Sequence, residues 1–251
     1  MTALKPHPKA PSSDEAPISY QVRRSERASK TRIIVSADKI EVVAPLKTSE
    51  QRIHAFVATQ RDWIRDAQKR VEQRAGQIKS LAPPAYVDGA PVPFQGRQIP
   101  LEIKPGKHKN PRVQFTGARF EVYLNQAGAD NGSDSIKTAL QTWMKQHTRQ
   151  MALQLLEKHR SSHGLLPRSL RIKTQKSRWG SCGPHNDINL NWLLVLAPPV
   201  IMEYVVVHEL CHIRHKNHSR DFWQLVSAHM PDYLEHRQWL KQHGGSLMRG
   251  L

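Results

Sequence analysis

The stretch YVVVHELCHIRHKNHSRDFW (204–223) constrains this chain more than any other. Four histidines, His208, His212, His215 and His218, fall within eleven positions, directly after a run of valines. A valine-rich turn belongs in a core, and imidazoles belong beside it only when something satisfies them. In HELCH, His208 and His212 stand at i and i+4, so on a helix their rings lie one turn apart on one face. At that spacing two ring nitrogens reach a single ion at bond lengths of about 2 Å. Glu209 then sits beside the metal without pointing straight at it, free to take a proton from an activated water. This is the H-E-x-x-H zinc signature, and it predicts a helix carrying a metal site with Zn2+ as cofactor, one per chain.

A catalytic zinc keeps three protein ligands and one open position, so a third ligand is needed. The candidates are His215 and His218. On a continued helix His215 would lie about 10 Å along the axis from His208, too far for one ion. The chain must therefore turn. Asn217 tolerates a left-handed turn, after which His218 can swing back to the metal. His218 is the chosen third ligand and His215 the alternative. The interval from His212 to His218 equals that of the metzincin pattern, but His215 stands where that pattern needs glycine. Phe222 and Trp223 open a further helix as core packing that pins the turn.

The rest of the chain reads as α+β. Residues 19–45 alternate and are rich in β-branched side chains, which predicts a short antiparallel meander. Residues 48–78 read as one long helix, capped by Thr48 or Ser49, with a stripe that includes Ile53, Val57, Trp63 and Ile64. VPFQGRQIPLEIK and RVQFTGARFEVYLN read as strands. A second long helix starts at a cap on Ser133 or Asp134 and stops at Gly164, followed by strand-like runs at 169–175 and 186–196. APP (197–199) opens the motif helix, because proline is tolerated in a first turn. The expected organisation is a disordered tail (1–17), a β-rich region with one long helix (18–125), a linker (126–133) and a catalytic domain (134–251).

Composition narrows the setting. No stretch approaches the roughly 20 apolar residues that span a bilayer, since WLLVLAPPVIMEYVVV is broken by Pro198, Pro199 and Glu203. No membrane partner is expected. The N-terminus lacks an apolar signal region, and two cysteines, Cys182 and Cys211, suit a reducing compartment, so the expected location is cytoplasmic. The net charge is +17, spread over the body of the protein, which suits contact with a polyanion or nucleic acid. Oligomeric state is not legible in the sequence.

KSRWGSC (176–182), INLNW (188–192), LAPP (196–199), the opening stretch and MPDY (230–233) together resemble the YgjP-like metal-dependent hydrolases. These are zincin-type proteins related to the SprT-like and WLM metallopeptidase groups. YQVRRSERASKTRIIV followed by VVAPL is similar to that family's opening β segment, so the resemblance covers most of residues 18–240. It implies a minimal zincin-like domain built from a long helix, short antiparallel strands, the HExxH helix and a C-terminal helix. It also implies His208, His212 and His218 as ligands and Glu209 as the catalytic carboxylate.

Ser181 and Cys182 are poor nucleophile candidates where a metal activates water. Gly180 and Gly183 read as a tight turn. Arg178 is either a cation for an oxyanion or phosphate, or a structural ion-pair partner. Asn189 and Asn191 make one strand face polar, by analogy a surface for an extended peptide. Three functions follow. The first is a metallopeptidase in which Glu209 serves as general base on a peptide or protein substrate. The second is a nucleoside triphosphate pyrophosphatase or phosphohydrolase on the same site. The third is a basic nucleic-acid-binding protein with a structural zinc.

Overall fold

The alternating segment near the N-terminus forms three short strands, β1 (Gln21–Arg24), β2 (Arg32–Val35) and β3 (Ile40–Ala44). The computed structural model describes residues 17–36, 38–77, 80–125 and 132–251. The expected tail therefore lies outside the described residues except at its last position, and so does the linker apart from Gly132 and Ser133. The strand order is β1–β3–β2, with β1 parallel and β2 antiparallel to β3. This corrects the antiparallel meander. β3 carries the buried set Ile40, Val42, Val43 and Ala44 and takes the centre, whereas β1 is exposed throughout and takes an edge.

The helix expected over 48–78 is two helices, α1 (Glu50–Thr59) and α2 (Arg61–Gln77), broken at Gln60. Ser49 is the cap, its hydroxyl accepting from the Arg52 amide. Ile53, Val57 and Ile64 bury against β3, while Trp63 lies off that narrow seam and is 47% exposed. These elements make up one compact unit, Met1–Ile78.

The second unit, Lys79–Leu251, has a division different from the one expected. The strands β4 (Pro91–Phe94), β5 (Arg97–Pro105), β6 (Arg112–Phe115) and β7 (Phe120–Leu124) share a core with the segments that follow. The boundary at 126–133 therefore falls inside this unit, because the inner face of that sheet is buried against the long helix α3 (Ser133–His163). Phe94, Phe120 and Val122 meet Ile136, Leu140 and Met144 there. The sheet order is β4–β5–β7–β6, with β5 and β7 parallel. Gln95 and Gly96 turn the β4–β5 hairpin with φ of 50° and 76°. Their amides donate to the carbonyls of Val195 and Leu196, each at 2.8 Å. A Cβ at Gly96 would lie 2.8 Å from Pro198 Cγ, so the hairpin tip seats directly on the segment that starts the motif helix.

α3 begins after Gly132, without the side-chain cap expected from Ser133 or Asp134; the Ser133 hydroxyl instead accepts from the Tyr86 amide at 2.8 Å. It ends at Gly164 in the left-handed conformation, as expected. Past it, β8 (Ser169–Lys173), β9 (Gly180–Cys182) and β10 (Asp187–Asn191) form a sheet in the order β8–β10–β9, with β8 parallel and β9 antiparallel to β10. The strand-like run to residue 196 stops early. Residues Trp192–Leu196 form a 3₁₀ turn, because the Asn191 carboxamide oxygen accepts from the Leu193 amide and caps it.

The motif helix α4 (Pro199–Arg214), α5 (Arg220–His229) and α6 (Tyr233–Met248) complete the unit. Among the described residues, then, the protein is α+β, with six helices and three small mixed sheets. No helix among them is long and apolar enough to cross a membrane. α4 is buried on nearly every side, with Met202, Val206, Val207 and Leu210 packed against Ile188 and Leu190 of β10.

Asn191 is fully buried, and its amide donates to the carbonyls of Gln175 (2.8 Å) and Arg178 (3.1 Å). It ties the 175–179 loop to the start of the 3₁₀ turn. Asn191→Ala leaves those groups without partners, each costing roughly 1–3 kcal/mol. The expected loss is at least about 2 kcal/mol of stability in this unit, read as a lowered urea midpoint by tryptophan fluorescence. An unchanged midpoint would show that the tie is dispensable.

Candidate active site

α4 delivers His208, Glu209 and His212 to one cleft, and the turn into α5 adds His218. His208 Nε2 and His218 Nε2 lie 3.1 Å apart. One ring nitrogen from each of His208, His212 and His218 falls within 4.8 Å of the others. Nitrogens around a tetrahedral zinc with bonds of 2.0–2.1 Å stand about 3.3 Å apart, so the cluster has the dimensions of a metal site. His215 is outside it. α4 ends there, with His215 in extended backbone at φ −120°.

The turn itself is not the expected one. Among the described non-glycine residues, positive φ occurs at Gln95 and Asn186, not at Asn217. Asn217 reverses the chain through its side chain instead, its Oδ1 accepting from the Ser219 amide at 3.3 Å. Ser219 then caps α5 by accepting from the Phe222 amide. Between these two local bonds His218 is held toward the cleft.

Aromatic packing fixes the rings. Phe222 is fully buried, and its ring centroid lies 5.0, 4.5 and 4.9 Å from those of His208, His212 and His218. Trp223 stacks on His218, Tyr233 stacks on Trp223, and the Arg237 guanidinium lies 4.6 Å from the Trp223 ring. The α6 face thus braces the most exposed of the three imidazoles.

The donor chemistry fits a divalent cation. Burial, reinforced by the neighbouring His212 and His218, pushes the His208 imidazole down to about 3, so it is neutral at physiological pH, the form that ligates. His212 is also pushed down, chiefly by burial. Its Nδ1 meets the His215 carbonyl at 2.9 Å; a carbonyl only accepts, so Nδ1 carries the proton and the Nε2 lone pair is free. His215 therefore serves the site through its backbone, a role that leaves no trace in residue identity.

Glu209 is 5% exposed, and burial pushes its carboxyl up to about 8, opposed by a hydrogen bond from the Cys182 amide. A buried carboxyl of this kind ionises readily once a cation sits beside it. Its seat is Gly180, where a Cβ would lie 2.6 Å from Glu209 Oε1 and 2.7 Å from Glu209 Cγ. Gly180 is thus required by close approach and not by a tight turn, and it is a site residue that sequence reasoning assigned another role.

The supporting residues fall out differently from one another. Asn191 is consumed by the backbone ties above and is unavailable to a substrate, which corrects that expectation. Asn189 donates to Ser181 Oγ at 3.2 Å across the β9–β10 pair. Because β10 lies between β8 and β9, it has no open edge for a peptide; β9 forms the cleft wall. Arg178 is exposed and does not line the cleft, and its carbonyl, not its guanidinium, makes the contact recorded above.

Residues 29–243 match the sequence profile described as a YgjP-like metallopeptidase domain. The chain belongs to the YgjP-like family. That assignment makes the YgjP-like chain a metallopeptidase-type hydrolase by class. No curated protein matches it. Among solved structures, the metallopeptidase zymogen abylysin of Pyrococcus abyssi is similar to 36% of this chain and 93% of its own, with 22% identity and a TM-score of 0.33.

Gly180→Ala tests the seat of Glu209. The added methyl displaces the carboxylate, so the Cys182 amide loses its acceptor and exchanges with solvent faster. Overpacking of this kind costs about 1–3 kcal/mol. Hydrogen exchange at Cys182 that matches the parent protein would contradict this arrangement.

Proposed function

We propose that this protein is a zinc-dependent metallopeptidase in which His208, His212 and His218 hold the metal and Glu209 is the general base. The observation that carries the reading is the convergence of three imidazole nitrogens and a buried carboxylate on one cleft. Neutral imidazoles favour zinc over hard cations such as magnesium or calcium. Zinc bound there supplies Lewis acidity, which makes water nucleophilic near neutral pH and polarises a carbonyl.

The chain's own residues do the rest. Glu209 takes a proton from the attacking water and returns it to the departing amine. Gly180 and the Cys182 amide fix where that carboxylate stands. Phe222 and the His215 carbonyl together keep the His212 imidazole from rotating. The cleft wall at β9 is extended backbone, a surface along which an extended peptide can lie. The phosphohydrolase alternative leaned on Arg178, which stands outside the cleft lining, so the peptide reading has the better support.

Ligand choice is tested by metal analysis after dialysis against a weak chelator. The purified protein should hold about one zinc per chain. His218→Ala should lose most of it, and His215→Ala should keep it, because the His215 ring is not in the cluster while its carbonyl survives the substitution. Equal losses in the two variants would refute the assignment.

Glu209→Gln tests the chemistry. Glutamine preserves shape and hydrogen bonding but accepts no proton at neutral pH. Zinc content and circular dichroism should match the parent protein, while turnover falls by about 10²–10⁴. Full activity in a preparation free of other hydrolases would instead make the metal structural, as in the nucleic-acid-binding alternative.

A further inference from the structure

We propose that Lys216 is a specificity-determining cation that selects peptides with an acidic side chain beside the scissile bond; this rests on the peptidase reading above. Lys216 lies in the loop between α4 and α5, two residues before His218, and its side chain lines the same cleft. Its Nζ donates to Asn186 Oδ1 at 2.6 Å and to the Gly183 carbonyl at 3.1 Å, with Cys182 Sγ at 3.7 Å. The ammonium is therefore tied to the turn between β9 and β10.

That turn is built to hold it. Asn186 adopts φ of 63°, its amide donates to the Gly183 carbonyl at 3.0 Å, and the Gly183 amide donates to the Asp187 carbonyl at 2.9 Å. The recorded acceptors are a carboxamide, a carbonyl and a sulfur, none of them a carboxylate. The nearby Asp187 carboxylate is occupied by Arg168 and by the Ser169 hydroxyl, and the Arg168 guanidinium first, then Ser169, hold it down at about 2. Lys216 is thus fixed in position by uncharged acceptors, and among the described residues no carboxylate forms an ion pair with it.

The remaining lining offers no substitute anion. The carboxylate in the cleft is Glu209, which is buried and already held by the Cys182 amide. The three imidazoles line the same cleft as Lys216. A negative side chain on a bound peptide therefore meets a favourable potential, and a lysine there meets repulsion. The cleft volume of about 270 Å³ has room for a side chain.

The test uses the full-length, zinc-loaded chain carrying Glu209→Gln, which holds peptides without cutting them. Calorimetric titration would compare decapeptides that differ by Glu, Gln or Lys at one scanned position. At the favoured position Glu should bind about five-fold more tightly than Gln, the upper range for an exposed charge pair, and Lys more weakly than either. The preference should shrink as salt rises from about 50 to about 500 mM. Adding Lys216→Gln, which keeps a donor for the Gly183 carbonyl, should bring the Glu-to-Gln ratio to about one. A ratio unchanged by Lys216→Gln, the absence of any Glu preference or of binding, or tighter Lys216-dependent binding of a thymidine decanucleotide would each overturn the proposal. Lys216-dependent Glu preference with no cleavage by the parent protein would leave the anchor standing and remove the peptidase reading instead.

Discussion

Burial of the Glu209 carboxyl against the backbone of Gly180 is the contact around which this site is arranged. An acid that is 5% exposed is costly unless its surroundings supply compensation. Here the protein supplies one main-chain donor, the Cys182 amide, and sets three imidazoles within reach of a cation. The short strand β9 gives the amide and, by lacking a side chain at position 180, the space. α4 gives the acid and two of the rings. Neither element makes sense alone: β9 is three residues long, and α4 buries an acid that no aliphatic neighbour can satisfy.

Much of the remaining architecture serves to hold those two elements together. The hairpin tip at Gln95–Gly96 donates to the 3₁₀ turn at its Val195 and Leu196 carbonyls and leaves room for Pro198, which fixes where α4 starts. Asn191 ties the loop before β9 to the same turn. At the other end of α4, Phe222 and the Trp223–Tyr233–Arg237 stack pack against the imidazoles. The four-stranded sheet thus belongs to the unit that holds the cleft, not to a separate region before it, and the first unit has its own small core around Ile53, Val57 and Ile64.

Legibility from the sequence followed how local each constraint is. HELCH is legible because the convergence of His208, Glu209 and His212 on one helix follows from the 3.6-residue period alone. Gly164 as a helix stop and Pro199 as a helix start are equally local. The meander and the strand run to 196 depart from the linear reading because each is settled by a partner distant in sequence. β1 pairs parallel to β3 since β3 holds the buried residues, and the run ends at Asn191 because its amide finds the carbonyls of Gln175 and Arg178.

By itself, then, the sequence determined an α+β chain with an HExxH helix, a turn that returns His218, and a strongly basic surface. These follow from spacing, composition and the chemistry of single side chains. Only the tertiary structure decided that Gly180 is the seat of Glu209, that the His215 carbonyl orients His212, that Asn191 is a structural tie, and that Lys216 crosses to the β9–β10 turn. Each of these depends on backbone groups, or on side chains brought together from different elements, and such contacts carry no periodicity that a linear reading can detect.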